Sequence, residues 1–134
     1  MSKGTCRGKR FPMRNIKEPK MASLRNIARR ASDILTFSSR KENYLPVPEW
    51  DGEGIPPVEW HRANVANNAL DMAGLYAAKA KAFAGGEDWG EPNEAWAVQQ
   101  AEYMERDFAE YAWAVKASPS EIWRHEIEWY RLSA

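Results

Sequence analysis

The sequence predicts an all-α fold. An antiparallel helical hairpin spans about 57–84 and 93–117, a C-terminal helix over 119–132 packs across it, and a basic N-terminal arm leads into an amphipathic helix over 21–37. Three observations carry this. Ala97, Ala101, Met104, Phe108, Tyr111 and Val115 recur at alternating steps of four and three, which is one continuous apolar stripe along a helix. From Val58 to Phe83 the apolar positions fall into two such stripes, so that helix needs neighbours on both sides. Ser118-Pro119-Ser120-Glu121 is a helix-start signature: a capping serine, a proline at the first helical position and an acid at the third.

From the N-terminus, residues 1–20 mix cations with Gly4, Gly8, Pro12 and Pro19 and hold few apolar groups. Such a stretch does not recover its own ordering entropy and is expected to stay extended until it meets a surface. Leu24, Ile27, Ala28, Ala31, Ile34 and Leu35 then repeat at helical spacing, with Arg25, Arg29 and Arg30 largely off that stripe. Ser38 and Ser39 are expected to fray its end. The favoured reading lays the apolar side on the body and offers the arginines to phosphates. The same pattern also suits a groove on a partner protein or a membrane surface, and together with the arm it resembles a mitochondrial presequence. Arg29-Arg30-Ala31-Ser32 resembles a basophilic kinase site, where a phosphate would lower the local positive charge.

Pro46, Pro48, Gly52, Gly54, Pro56 and Pro57 keep residues 44–57 out of a helix. Two near-copies stand here, Pro46-Val47-Pro48-Glu49-Trp50 and Pro56-Pro57-Val58-Glu59-Trp60, and each tryptophan is expected to anchor a loose strap to the helices. The chain thus divides into a basic arm and helix over 1–43, a Pro/Gly-rich strap over 44–57 and an acidic, Trp-rich helical body over 58–134. The second helix starts with Pro57 in its first turn. Val58, Val65, Ala69, Met72, Tyr76 and Phe83 form one stripe, and the smaller Ala66, Leu70, Ala73 and Ala77 form the other. Gly74 and the alanines permit a close neighbour, and Gly85-Gly86 supplies a left-handed C-cap. The turn to Pro92 is short enough to fold the next helix back antiparallel. Asn93 caps that helix, and Glu102, Glu105, Arg106, Glu110 and Lys116 form its solvated side. In the last helix Ile122, Trp123, Ile127, Trp129 and Tyr130 crowd one face around Glu126. An uncompensated charge there is costly, and Arg124 lies off the face, so Glu126 needs a partner from another element or a place at the rim.

The formal net charge of zero conceals a division. Residues 1–43 hold twelve basic groups against three acidic ones, a net of +9, and the remainder holds seven against sixteen, a net of −9. A basic segment of this kind points to an anionic partner. Arg7, Lys9, Arg10, Arg14, Lys17, Lys20, Arg25, Arg29 and Arg30 are the expected nucleic-acid or polyanion contacts. Seven tryptophans are too many for a simple core in 134 residues, and Trp50, Trp60, Trp89 and Trp113 are the expected protein-interface anchors. Trp113 falls on the polar side of its helix, where packing on the strap or the last helix is the plainer account.

Signs of chemistry are absent from the pattern. The histidines are His61 and His125, and neither follows a glutamate by three residues as a di-metal helical site requires. No nucleophile grouping, phosphate loop or dinucleotide glycine pattern occurs, so no enzyme, metal or cofactor is expected. The single Cys6 cannot close an internal disulfide, which fits a reducing compartment: the cytoplasm, a virion interior or, under the presequence reading, the mitochondrial matrix. No apolar run approaches the ~18 residues of a membrane span. The expected role is a non-catalytic assembly or accessory protein, its body docking on protein and its arm gripping nucleic acid in a virion or ribonucleoprotein. Two rivals are a homo-oligomer built by arm-to-body docking and an organellar accessory subunit.

Overall fold

The computed structural model describes residues 20–85 and 91–133, with side chains described over 23–85 and 91–128. Four helices form: α1 (Lys20–Ser38), α2 (Val58–Gly85), α3 (Glu94–Lys116) and α4 (Pro119–Ser133). A short 3₁₀ turn at Lys41–Asn43 opens the strap. Among the described residues there is no strand, and no helix is long and apolar enough to cross a membrane.

The α2–α3 pair is antiparallel. Arg62 near the start of α2 meets Ala114 at the end of α3, and Phe83 near the end of α2 meets Trp96 at the start of α3. The stripe of small residues on α2 is the buried one: Ala66, Leu70, Ala73 and Ala77 are fully enclosed. Of the larger stripe, Ala69 and Phe83 are buried while Met72 is 38% exposed. Gly74 marks the tightest approach, because a Cβ there would stand 2.5 Å from Ser38 Oγ and 3.2 Å from Ser38 Cβ.

α1 is part of the same core. Ala31 and Ile34 pack with Ala73, Ala77, Ala80 and Met104, and Leu24 packs with Phe83, Ala84 and Ala97. Phe37 sets its ring edge-on to Phe108 and Tyr111 at 5.3 and 5.6 Å. Burying Ile34, Leu70, Met104 and Ile122, each almost wholly enclosed, contributes roughly 1.5–3 kcal/mol per side chain. On α3, Ala97, Met104 and Tyr111 are buried as the spacing requires, but the stripe fades at Val115, which is 37% exposed beyond the reach of α1.

The ends of the helices show where local chemistry decides. Asn93 Oδ1 accepts from Trp96 N at 3.1 Å. At α4, Glu121 N donates to Ser118 Oγ at 3.2 Å, and Ser118 N donates to Glu121 Oε1 at 2.7 Å, a reciprocal capping box. The end of α1 is tied rather than frayed. Ser39 Oγ donates to Thr36 O at 2.8 Å, Asn43 Nδ2 to Phe37 O at 2.9 Å, and the Tyr44 hydroxyl lies 2.7 Å from Ser38 O. These bonds take up carbonyls that the last turn leaves without helical partners. Pro57 stands one residue ahead of α2, its carbonyl accepting from Trp60 N. Gly85 is still helical; among the described residues only Gly52 and Gly54 have positive φ, at 88° and 71° in the strap. Gly86 and the connection over 86–90 lie outside the described residues.

Asn67 holds the strap by mimicking a neighbouring strand: its Oδ1 accepts from Leu45 N at 2.9 Å and its Nδ2 donates to Leu45 O at 3.0 Å. Tyr111 adds a hydroxyl bond to Asn43 O at 2.7 Å.

Candidate functional site

Of the expected anion contacts, Arg7, Lys9, Arg10, Arg14 and Lys17 lie outside the described residues, as does Cys6, and only the backbone of Lys20 is described. Arg25 and Arg29 are exposed one helical turn apart on α1, and neither forms an ion pair among the described residues. Arg40 and Lys41 are likewise exposed and unpaired just past the end of α1. Arg30 differs. Its Nε and Nη2 grip Glu105 of α3 at 2.6 and 2.9 Å, and its guanidinium lies 5.4 Å from the centre of the Phe108 ring. The hydrogen bond to Glu105 holds the Arg30 pKa above its ordinary value. An arginine committed twice in this way is less available to a phosphate than Arg25 or Arg29. Ser32, which follows the arginine pair, is half-buried within α1.

The tryptophans divide in the same way. Trp50 and Trp60, the last residues of the two near-copies, meet at 4.8 Å between ring centres in an edge-to-face pair. Trp50 Nε1 also donates to Glu53 O at 3.0 Å, closing the glycine-containing turn. The strap is thus pinned to α2 through its own repeat. Trp113 is half-buried against His125 of α4, with ring centres 5.2 Å apart, so the last helix covers it. Trp89 lies outside the described residues. Trp96, which falls off the α3 stripe, is 56% exposed.

At the joint of α4 the sequence had shown a need without showing what meets it. The Glu126 carboxylate lies 3.0 Å from His61 Nδ1 of α2, and the two side chains are 15% and 6% exposed. The partner therefore comes from another element. Trp60 and Trp123 set their rings edge-on to His61 at 5.3 and 5.0 Å. Glu126 Oε2 also lies 3.4 Å from His125 Nδ1, and His125 Nε2 lies 3.6 Å from Glu110. Ile122 is fully buried beside this chain of groups, whereas Ile127 is 57% exposed, so α4 is rotated to seat Glu126 rather than Ile127. The side chains of Trp129 and Tyr130 lie outside the described residues. Asp107 is the other buried charge; its oxygens accept from Arg106 at 3.1 and 3.3 Å. No group of three or more metal-ligating side chains is placed to hold an ion among the described residues.

No protein-family model matches this chain, and neither a curated protein nor a solved structure matches it.

Proposed function

We propose that this chain is a non-catalytic accessory protein that fixes a cationic N-terminal segment to a helical body, so that the segment grips nucleic acid within a larger assembly. The observation that supports this most is the two-sided use of α1. Its apolar side supplies Leu24, Ala31 and Ile34 to the core, while Arg25 and Arg29 face outward without carboxylate partners among the described residues. A helix clamped by its apolar side presents guanidinium groups at fixed spacing, and six further cations precede it in the sequence. Phosphate neutralisation of this kind is sequence-independent, because phosphate contacts position a protein without reading bases. The exposed Trp96 and Ile127 are the apolar groups through which the acidic body docks on protein.

The test keeps the fold intact. α1 is part of the core, so deleting residues 1–43 would remove core packing along with the cations. The informative variant instead replaces Arg7, Lys9, Arg10, Arg14, Lys17, Arg25 and Arg29 by glutamine in the full chain. Duplex DNA binding, read by fluorescence anisotropy, is expected to fall by orders of magnitude while circular dichroism is unchanged. Unaltered binding by a folded variant would refute the proposal. Wild-type protein that binds no DNA, yet dissociates from larger species as salt rises, would transfer the arm's role to self-assembly.

A further inference from the structure

α2 differs from the helices beside it in having no charged side. α1 turns Arg25, Arg29 and Asp33 outward, and α3 turns Glu102, Glu105 and Arg106 outward, as helices covered on one side do. Between Asp71 and Lys79, by contrast, α2 carries only Met-Ala-Gly-Leu-Tyr-Ala-Ala. α1 and α3 take up two of its sides, where Ala73, Ala77 and Ala80 pack with Ile34 and Met104. The third side stays open. Leu75 at its centre is 46% exposed, Met72 is 38% exposed, and Ala78 is exposed one turn on. A helix apolar on every side belongs in an interior, so a continuous apolar strip left on its outside marks a contact surface.

The charges that frame this side point to its occupant. Asp71 and Lys79 stand four residues before and after Leu75, so helical spacing puts all three in one row. Asp71 Oδ1 accepts from the Tyr44 hydroxyl at 2.9 Å, and its Oδ2 has no partner among the described residues. The half-buried Lys79 has no carboxylate partner among them either; its Nζ lies 5.8 Å from the centre of the Tyr76 ring. We propose that this side of α2 is the contact of an antiparallel homodimer whose two-fold axis passes beside Leu75. Such a contact has to be complementary to itself. The axis brings residues equally far before and after position 75 to the same level: Asp71 with the partner's Lys79, Met72 with the partner's Ala78, and Leu75 with the partner's Leu75. Acid therefore meets base twice, and a long apolar side chain meets a short one. A surface framed by charges of one sign would instead call for a different protein. The contact uses none of the α1 arginines, so it does not depend on the nucleic-acid reading.

Sedimentation equilibrium of the full chain is the test. From Asn68 to Ala82 the open side runs about 21 Å along the helix. One helix face of that length is smaller than the interface of a permanent dimer, so a monomer–dimer equilibrium with a dissociation constant of roughly 10–100 μM is expected. Its centre is apolar, so it should persist at a salt concentration of about 0.5 M, where an arm docked on an acidic body would come away. Leu75→Arg, at an exposed position, is expected to abolish the dimer while circular dichroism and melting stay unchanged. Lys79→Asp and Asp71→Lys should each weaken self-association about tenfold, because each sets like charges level with one another twice. Mixed in equal amounts, these two variants should pair with each other at least as tightly as wild type, since the mixture restores acid opposite base. Damage to the monomer cannot imitate that recovery. A wild type that stays monomeric at roughly 500 μM, well above the expected constant, would overturn the proposal. So would a folded Leu75→Arg chain that still dimerises, or a mixture that associates no better than its two components.

Discussion

The contact between His61 and Glu126 predicts an asymmetry between two replacements that remove the same contact. With Glu126→Leu, the buried His61 ring loses its 3.0 Å contact with the carboxylate, a cost of about 1–2 kcal/mol. With His61→Leu, Glu126 is left in a site where its side chain is only 15% exposed. A carboxylate keeps its charge at neutral pH, and removing the partner of a buried charge costs roughly 3–5 kcal/mol. Solvent access and the second contact, 3.4 Å to His125, place the expected value at the lower end of that range, about 3 kcal/mol. The Trp123 edge contact with the His61 ring is lost in the same variant. The double replacement, apolar on both sides, should be less damaging than His61→Leu alone. Urea unfolding at pH 7 measures all three, provided the slope is unchanged so that midpoint shifts report stability. If Glu126→Leu proves as costly as His61→Leu, or if neither exceeds about 0.5 kcal/mol, the pairing does not hold α4 as described.

Three further outcomes are expected. Asn67→Ala removes both bonds to the Leu45 backbone and should cost about 1–3 kcal/mol in urea unfolding, with hydrogen exchange at Leu45 N accelerated. Arg62→Gln removes the bond from Nη1 to Ala114 O at 2.8 Å, where a cation caps the carbonyl end of α3, and should cost about 1–2 kcal/mol. Glu121 is held below the usual carboxylate range by its bond from Ser118 N. Its contribution to the start of α4 is therefore complete above the ordinary carboxylate pKa and is lost as pH falls through the lowered one. As pH falls through that range the protection factors of the first α4 amides, corrected for the intrinsic exchange rate, should drop, and Glu121→Gln should remove that drop.

Much of the architecture was legible because it is written in local spacing. The four helices appear within a residue or so of where periodicity and punctuation put them, and the capping box and Asn93 act through neighbours within four residues. What spacing does not encode is which of two faces a neighbour covers. Val115 and Ile127 continue their stripes in sequence but are 37% and 57% exposed. The joint of α4 was legible in half. A glutamate on an apolar face demanded a partner from another element, and no local pattern could single out His61, 65 positions earlier, as the one that meets it. Asp107 was missed because it flanks the α3 stripe, and its burial depends on how α2 and α3 enclose that side. The hold on the strap was obscure for the same reason. Tryptophans are conspicuous in the sequence, whereas Asn67 sits on α2 and has no local sign that it binds the Leu45 backbone.

The proposal as a whole depends on Arg25 and Arg29 touching phosphate while the other side of α1 holds the fold. Salt dependence of duplex DNA binding tests this most directly, comparing the wild type with the Arg25→Gln/Arg29→Gln variant. Each phosphate contact adds about 0.9 to the slope of log affinity against log salt, so losing two should lower the slope by about 1.8 with the melting transition unmoved. Identical slopes for the two folded proteins would mean that these arginines face solvent alone.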